Sequence, residues 1–157
     1  MSDSDVSEIQ IYVDADACPV KGEIVRVAER HGLTVHMVSN GGLRPNPNPR
    51  IRSVMVPEGP DVADDWIAER AGPRDVAITG DIPLAARCLQ NGARVLGHNG
   101  RPFTEDGIGM ALAARDLNAH LRDTGEIRGG GPSFGKQDRS RFLDVLETTI
   151  QALKRAG

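Results

Sequence analysis

Cysteine is almost missing from this chain of 157 residues, which has only Cys18 and Cys88. Two cysteines so far apart make neither a disulfide framework nor a zinc pattern. Aromatic residues amount to 3%, too few for the stacking platform on which single-strand binders lay bases. Charge of one sign is also lacking. The formal net charge is −3, so the chain as a whole does not attract nucleic acid at long range, and only a local basic patch remains open. Lysine occurs three times against sixteen arginines, a bias toward the residue that forks onto phosphate. No apolar run is long enough to span a bilayer. The opening MSDSDVSE is polar and acidic rather than a signal peptide. Residues 1–8 therefore read as a frayed leader, and the expected location is the cytoplasm, with reduced thiols.

What is present suits one domain over residues 9–157. Hydrophobic residues make up 39% and charged residues 26%, a globular balance that excludes disorder. A chain of this length buries roughly 70% of its unfolded surface without staples. Short apolar runs predict strands at Ile9–Val13, Leu33–Val38, Ile51–Val56, Val76–Thr79 and Ala93–Leu96. Helical spacing falls between them at Val20–Arg30, Asp61–Ala71 and Ile82–Gln90, and later at Met110–Arg122 and Asp138–Arg155. Pro19 suits the first turn of the first helix and Gly32 its end. Strands alternating with helices imply βαβ crossovers. The expected fold is a three-layer α/β/α domain around a mostly parallel sheet of about five strands. Asn40–Pro49 and Gly129-Gly130-Gly131-Pro132 read as loops.

The acids carry the functional information. Strand one runs into Asp14-Ala15-Asp16 and strand four into Thr79-Gly80-Asp81. Strand three is followed by Glu58-Gly59-Pro60-Asp61, then Asp64 and Asp65. In an open parallel sheet the ligand crevice lies outside the carboxyl ends of the strands, so three segments aim aspartates at one edge. Two carboxylates 4 Å apart repel by about 1 kcal/mol in water and about 4 kcal/mol at an effective dielectric of 20. A raised pKa, a bridging arginine or a bound cation relieves that repulsion. Oxygen donors without histidine or cysteine nearby favour Mg2+ or Mn2+. Such ions activate water and stabilise phosphoryl transfer.

Structural readings compete with this one. Asp61 and Asp81 each stand where a helix N-cap is expected, and Asp16 is placed to cap the helix near Pro19. Asp65 is expected to face solvent. Asp14 ends a buried strand with no helix to cap. Cys18, near a helix start but with no local base, reads as a packed residue, and Cys88 as core. The stretch GGPSFGKQ nearly spells a P-loop. It has Gln137 where the Mg2+-binding hydroxyl belongs, and no strand precedes it. Its glycines and Lys136 still offer amides and a charge to a phosphate. The four histidines are scattered and suggest no zinc site. Arg44, Arg50 and Arg52 flank the Pro/Asn loop, placed to steer a phosphate backbone.

At Asp14-Ala15-Asp16-Ala17-Cys18-Pro19 and Thr79-Gly80-Asp81-Ile82-Pro83-Leu84-Ala85 the chain resembles the YaiI/YqxD family of bacterial proteins. Gly59-Pro60-Asp61-Val62-Ala63-Asp64, Arg115-Asp116-Leu117, Gly130-Gly131-Pro132 and Asp138-Arg139 extend the resemblance along nearly the whole chain. That family in turn resembles the PIN-like and NYN nuclease domains, which cut RNA with Mg2+ or Mn2+ held by aspartates. The resemblance implies a PIN-like domain with Asp14, Asp61, Asp64 and Asp81 at the metal. It differs in one place: NYN domains often carry a second acid two positions after the last, where this chain has Pro83.

Three functions follow as expectations. The first is a metal-dependent endoribonuclease. Asp14, Asp16, Asp64 and Asp81 would be its catalytic acids, Arg44, Arg50, Lys136 and Arg139 its phosphate contacts, and RNA or another phosphodiester its partner. The second is a haloacid-dehalogenase-type phosphatase with Asp14 as nucleophile, Asp16 as general acid and Ser39 in the second motif. That chemistry wants a lysine before the last acids, and none lies between Lys21 and Lys136. The third is a non-catalytic module that binds metal or nucleic acid. No membrane role is expected, and the number of subunits stays open, a homo-oligomer included.

Overall fold

A computed structural model describes residues 9–41, 44–59, 61–123 and 134–156, without the side chains of Ala17 and of 115–123. The acidic leader and the Gly129–Pro132 loop lie outside the described residues. The strands are β1 (Gln10–Asp14), β2 (Thr34–Ser39), β3 (Ile51–Met55), β4 (Val76–Ile78), β5 (Arg94–Leu96) and β6 (Pro102–Phe103). The helices are α1 (Lys21–His31), α2 (Val62–Arg70), α3 (Ile82–Gln90), α4 (Glu105–Asp123) and α5 (Lys136–Ala156), with a 3-10 turn at Ala15–Ala17. The strands form one sheet in the order β3-β2-β1-β4-β5-β6. All neighbours are parallel except β5 and β6.

Side-chain alternation along the strands builds two cores. Ile11 and Val13 of β1 face one way, with Val35 and Met37 of β2 and with Val76 and Ile78 of β4. Against them pack Ile24, Val27 and Ala28 of α1 and Phe142, Leu146, Ile150 and Leu153 of α5. The other face carries Tyr12, Val38, Ala77 and Val95 under Ile67 and Ala68 of α2 and Leu84, Ala85, Cys88 and Leu89 of α3. The result is the expected three-layer α/β/α fold. On α5 the buried residues recur at helical spacing and each is at most 5% exposed. Burying side chains of this size contributes about 1.5–3 kcal/mol apiece.

The topology explains the layers. The chain steps outward from β1 to β2 and β3, then returns across the sheet to β4 on the other side of β1. Crossovers keep one hand, so the reversal puts α2 and α3 on the face opposite α1. The return also leaves β1 and β4 as neighbours whose connections leave in opposite directions.

Four local features differ from expectation. A sixth strand exists, but its two residues are too short to leave a sequence pattern, and its proline is tolerated at a sheet edge. Helix α4 starts at Glu105 instead of Met110, because the Thr104 hydroxyl accepts from Gly107 N at 3.0 Å and offsets the two glycines of its first turns. Pro19 lies before α1 and not in its first turn, since Val20 is the cap residue. Instead, the Pro19 carbonyl accepts from Arg139 at 2.6 Å. Helix α5 starts at Lys136, two residues early, with the Asp138 carboxylate accepting from Gly135 N at 3.0 Å. Gly32 closes α1 as expected, in the left-handed region at φ 67.

Candidate functional site

The gap between β1 and β4 is the topological switch point, where open α/β sheets bind ligands. Asp14 ends β1 and shares the alternation of Tyr12, so its side chain leaves the sheet on the face covered by α2 and α3. Thr79 follows β4 on that same face. Its hydroxyl donates to Asp14 Oδ2 at 3.1 Å and accepts from Asp81 N at 2.9 Å. Asp81 is the N-cap of α3, its Oδ1 accepting from Leu84 N at 2.9 Å, with proline in the first turn as expected. Asp64 stands in the first turn of α2 and is half-buried.

Electrostatics ties these groups together. Burial is the largest influence raising the Asp14 carboxyl above its ordinary value, and the neighbouring Asp81 and Asp16 raise it further. The Thr79 hydrogen bond and His98 act the other way. Asp64 is pushed up to about 6 by burial and by the charges of Asp81, Asp14 and Asp61, with Arg87 opposing. Three segments distant in sequence thus press like charges into one half-buried field.

The remaining acids divide. Asp61 occupies the N-cap position of α2, but its backbone is left-handed at φ 64 and its side chain makes no cap bond. Asp16 caps nothing. It is exposed and accepts from Asn40 N at 3.1 Å, tying the end of β2 to the turn after Asp14. Asp65 pairs with Arg87 at 2.6 Å on the exposed side of α2 and α3. Asp14 stands at the cap position of the 3-10 turn, a feature the sequence did not suggest, and makes no cap bond there.

The candidate phosphate contacts are spread over other parts of the fold. Arg44 lines a separate cleft beside α1. Arg50 precedes β3 at the opposite end of the sheet, its carbonyl accepting from Val35 N at 2.8 Å. Lys136 is exposed in the first turn of α5. Arg139 holds the Pro19 carbonyl at 2.6 Å and reaches Glu23 at 3.5 Å, with its guanidinium over the Phe134 ring. Cys18 and Cys88 are buried, as expected, and burial pushes each thiol up to about 11.

His98 is the residue that sequence reasoning missed. It follows β5 at the same carboxyl edge, and its ring lies against Gly80, where an added Cβ would sit 3.4 Å from Cε1. Its Nε2 is buried and has no hydrogen-bond partner among the described residues. Burial lowers its pKa while Asp14 raises it. The strand-end rule that selected the aspartates also selects His98, provided it is applied to every polar residue type.

The carboxylates at the edge fit a hard divalent cation, which relieves their mutual repulsion, and the His98 imidazole stands beside them as a nitrogen donor. Their spacing is looser. Among the described residues, no three Asp, Glu, His or Cys side chains stand close enough together to enclose an ion. The acids share a field and not yet a coordination shell. Among the described residues, no helix is long and apolar enough to cross a membrane.

A doubly wound α/β domain with acids gathered at its switch point is the class that fold and site define. The chain belongs to the YaiI/YqxD family, whose model, described as that of an uncharacterised group, matches residues 12–152. It is 70% identical over 146 residues to a UPF0178 protein of Parvibaculum lavamentivorans, covering 93% of this chain and 96% of that one. UPF0178 proteins of Roseobacter denitrificans and Ruegeria pomeroyi are 59% identical over 148 residues and 60% over 147. These matches cover 94% and 92% of this chain, and 98% and 96% of theirs. No solved structure matches the chain.

Proposed function

We propose that the carboxylate edge takes up Mg2+ or Mn2+ and hydrolyses phosphodiester bonds, with RNA as the substrate class, in the manner of the PIN-like and NYN domains the family resembles. One observation carries this reading: Asp14, Asp64 and Asp81, brought by three chain segments, meet at one half-buried edge, where burial first and then the neighbouring carboxylates push Asp64 up to about 6. Burial and repulsion of carboxylates both lower stability, and a bound cation relieves them. A bound divalent ion supplies a water of lowered pKa and positive charge for the phosphoryl oxygens. Asp14 and Asp81 are the ligands on either side of the switch point, and Thr79 sets the orientation of Asp14 through its hydroxyl. Asp64 and Asp61 complete the acidic side from α2.

The loose spacing of the acids favours a second reading, a module that binds metal or nucleic acid without turnover. The phosphatase reading draws less support, because Asp16, its general acid, is engaged with the Asn40 amide. The deciding experiment pairs calorimetric titration of Mn2+ with cleavage of an end-labelled RNA pool. Saturable Mn2+ binding that is lost in Asp14→Asn and Asp81→Asn, together with Mn2+-dependent cleavage, is the expected result. Binding without cleavage selects the non-catalytic module. No saturable binding, or binding unchanged in both variants, removes the metal reading altogether.

A further inference from the structure

A second cleft lies on the opposite face of the sheet. Helix α1 packs over β1 and β2, and its edge meets Ile51 and Ser53 of the edge strand β3 at this cleft. With Met37 of β2 and Val25 of α1 they bound a cavity of about 280 Å3. Lys21 and Arg44 line it from opposite sides in sequence, one from the start of α1 and one from the loop before β3. No acidic residue among those described lines it, although the whole chain is net negative.

Its position matters as much as its lining. Lys21 Nζ donates to the Ala15 carbonyl at 3.1 Å, on the turn that directly follows Asp14. One ammonium thus borders both the cleft and the segment that carries the first carboxylate.

We infer that this cleft binds one nucleotide unit of the substrate strand. The inference rests on the phosphodiester reading above and adds to it the place where a base and its phosphate are held. Ile51, Met37 and Val25 give an apolar floor for a heterocycle. Methionine adapts to flat ring faces at varied angles, which partly replaces the aromatic stacking this chain lacks. Lys21 and Arg44 supply two cations for a phosphate, and the Ser53 hydroxyl a donor or acceptor for a sugar or base edge. A bare anion would gain nothing from the apolar floor. The volume is close to the lower end of small-ligand pockets, which is about 300 Å3, and admits one unit of a strand.

The test uses AMP, GMP, CMP and UMP, each titrated into the metal-free full chain and followed by calorimetry, with adenosine and inorganic phosphate alone as controls. Arg44→Ala removes one cation, and Ser53→Phe fills the cavity. Both residues are exposed, and thermal melting confirms that each variant folds. Saturable nucleotide binding is expected in the parent chain, at least about tenfold weaker in Arg44→Ala and absent in Ser53→Phe, with adenosine and phosphate each weaker than AMP. The inference is overturned if no nucleotide binds saturably, if Ser53→Phe binds as the parent does, or if phosphate alone binds as tightly as AMP. Mn2+ titration of the same two variants separates this result from the parent reading: both are expected to keep any Mn2+ binding. Loss of the metal reading would leave nucleotide binding that depends on Ser53 intact, and the converse also holds.

Discussion

The Thr79 hydroxyl donates to Asp14 Oδ2 at 3.1 Å and joins the ends of β4 and β1 across the switch point. The same oxygen accepts from Asp81 N at 2.9 Å, so one buried side chain orients both acids.

Replacing that hydroxyl tests the arrangement. Thr79 is 1% exposed, so Thr79→Val keeps shape and burial while leaving Asp81 N and Asp14 without their partner. The expected loss is about 1–3 kcal/mol in urea unfolding. The Thr79 bond is an influence that lowers the Asp14 pKa, so NMR titration should find Asp14 higher in the variant. An unchanged Asp14 titration would show that the hydroxyl does not set its state.

Asp81 combines a structural and a chemical task, and two substitutions separate them. Asparagine caps helices as well as aspartate does, so Asp81→Asn should retain stability and lose Mn2+ binding. Asp81→Ala removes the bond to Leu84 N and should in addition cost about 1 kcal/mol. Chemical denaturation of both variants reads the difference. Equal destabilisation would mean that the negative charge, and not the cap, supports α3.

In EDTA, the Asp64 carboxyl should make the protein less stable as pH rises. Its folded value of about 6 lies above the ordinary 3.8. The folded chain therefore holds this proton where the unfolded chain has released it, and the contribution falls as pH rises from about 4 to about 6, then levels off. With solvent screening the effect is about 1–2 kcal/mol. Melting curves of Asp64→Asn against pH should lack this slope and lie above the parent chain near pH 7. Parallel curves would remove Asp64 from the shared field.

The turn that carries His98 is anchored through Gly100. Its φ is +85, and an added Cβ would lie 2.9 Å from the backbone of Arg141 and from Phe142 Cα. Gly100→Ala should therefore cost about 2–4 kcal/mol, from backbone strain and forced separation of α5. Urea unfolding checks this, and a loss below about 0.5 kcal/mol would show that α5 moves aside freely.

Most of the layered fold was legible because period-two and helical patterns reflect burial, as in Ile11 and Val13 against Tyr12, or Phe142 through Leu153. What escaped were features made by single contacts: the two-residue β6, and the start of α4 on the Thr104 hydroxyl. For the acids, the strand-end rule identified Asp14 and Asp81, whose positions follow from the backbone. It did not reveal that Asp16 turns to Asn40, because that partner lies just past the end of another strand and depends on register. His98 was passed over because the strand-end rule was applied to acids alone; its contacts with Gly80 and Asp14 are visible only in space. The arginines were the least legible, since long side chains end far from their Cα atoms, as Arg139 does at Pro19.

Asp61 shows what such a bend implies. Glycine would adopt φ 64 without strain, whereas an aspartate there is held against its preference by about 1 kcal/mol, and its carboxylate does not cap the helix in return. Asp61→Gly is therefore a route to a sturdier protein. An acid at that corner adds charge beside Asp64 instead of durability.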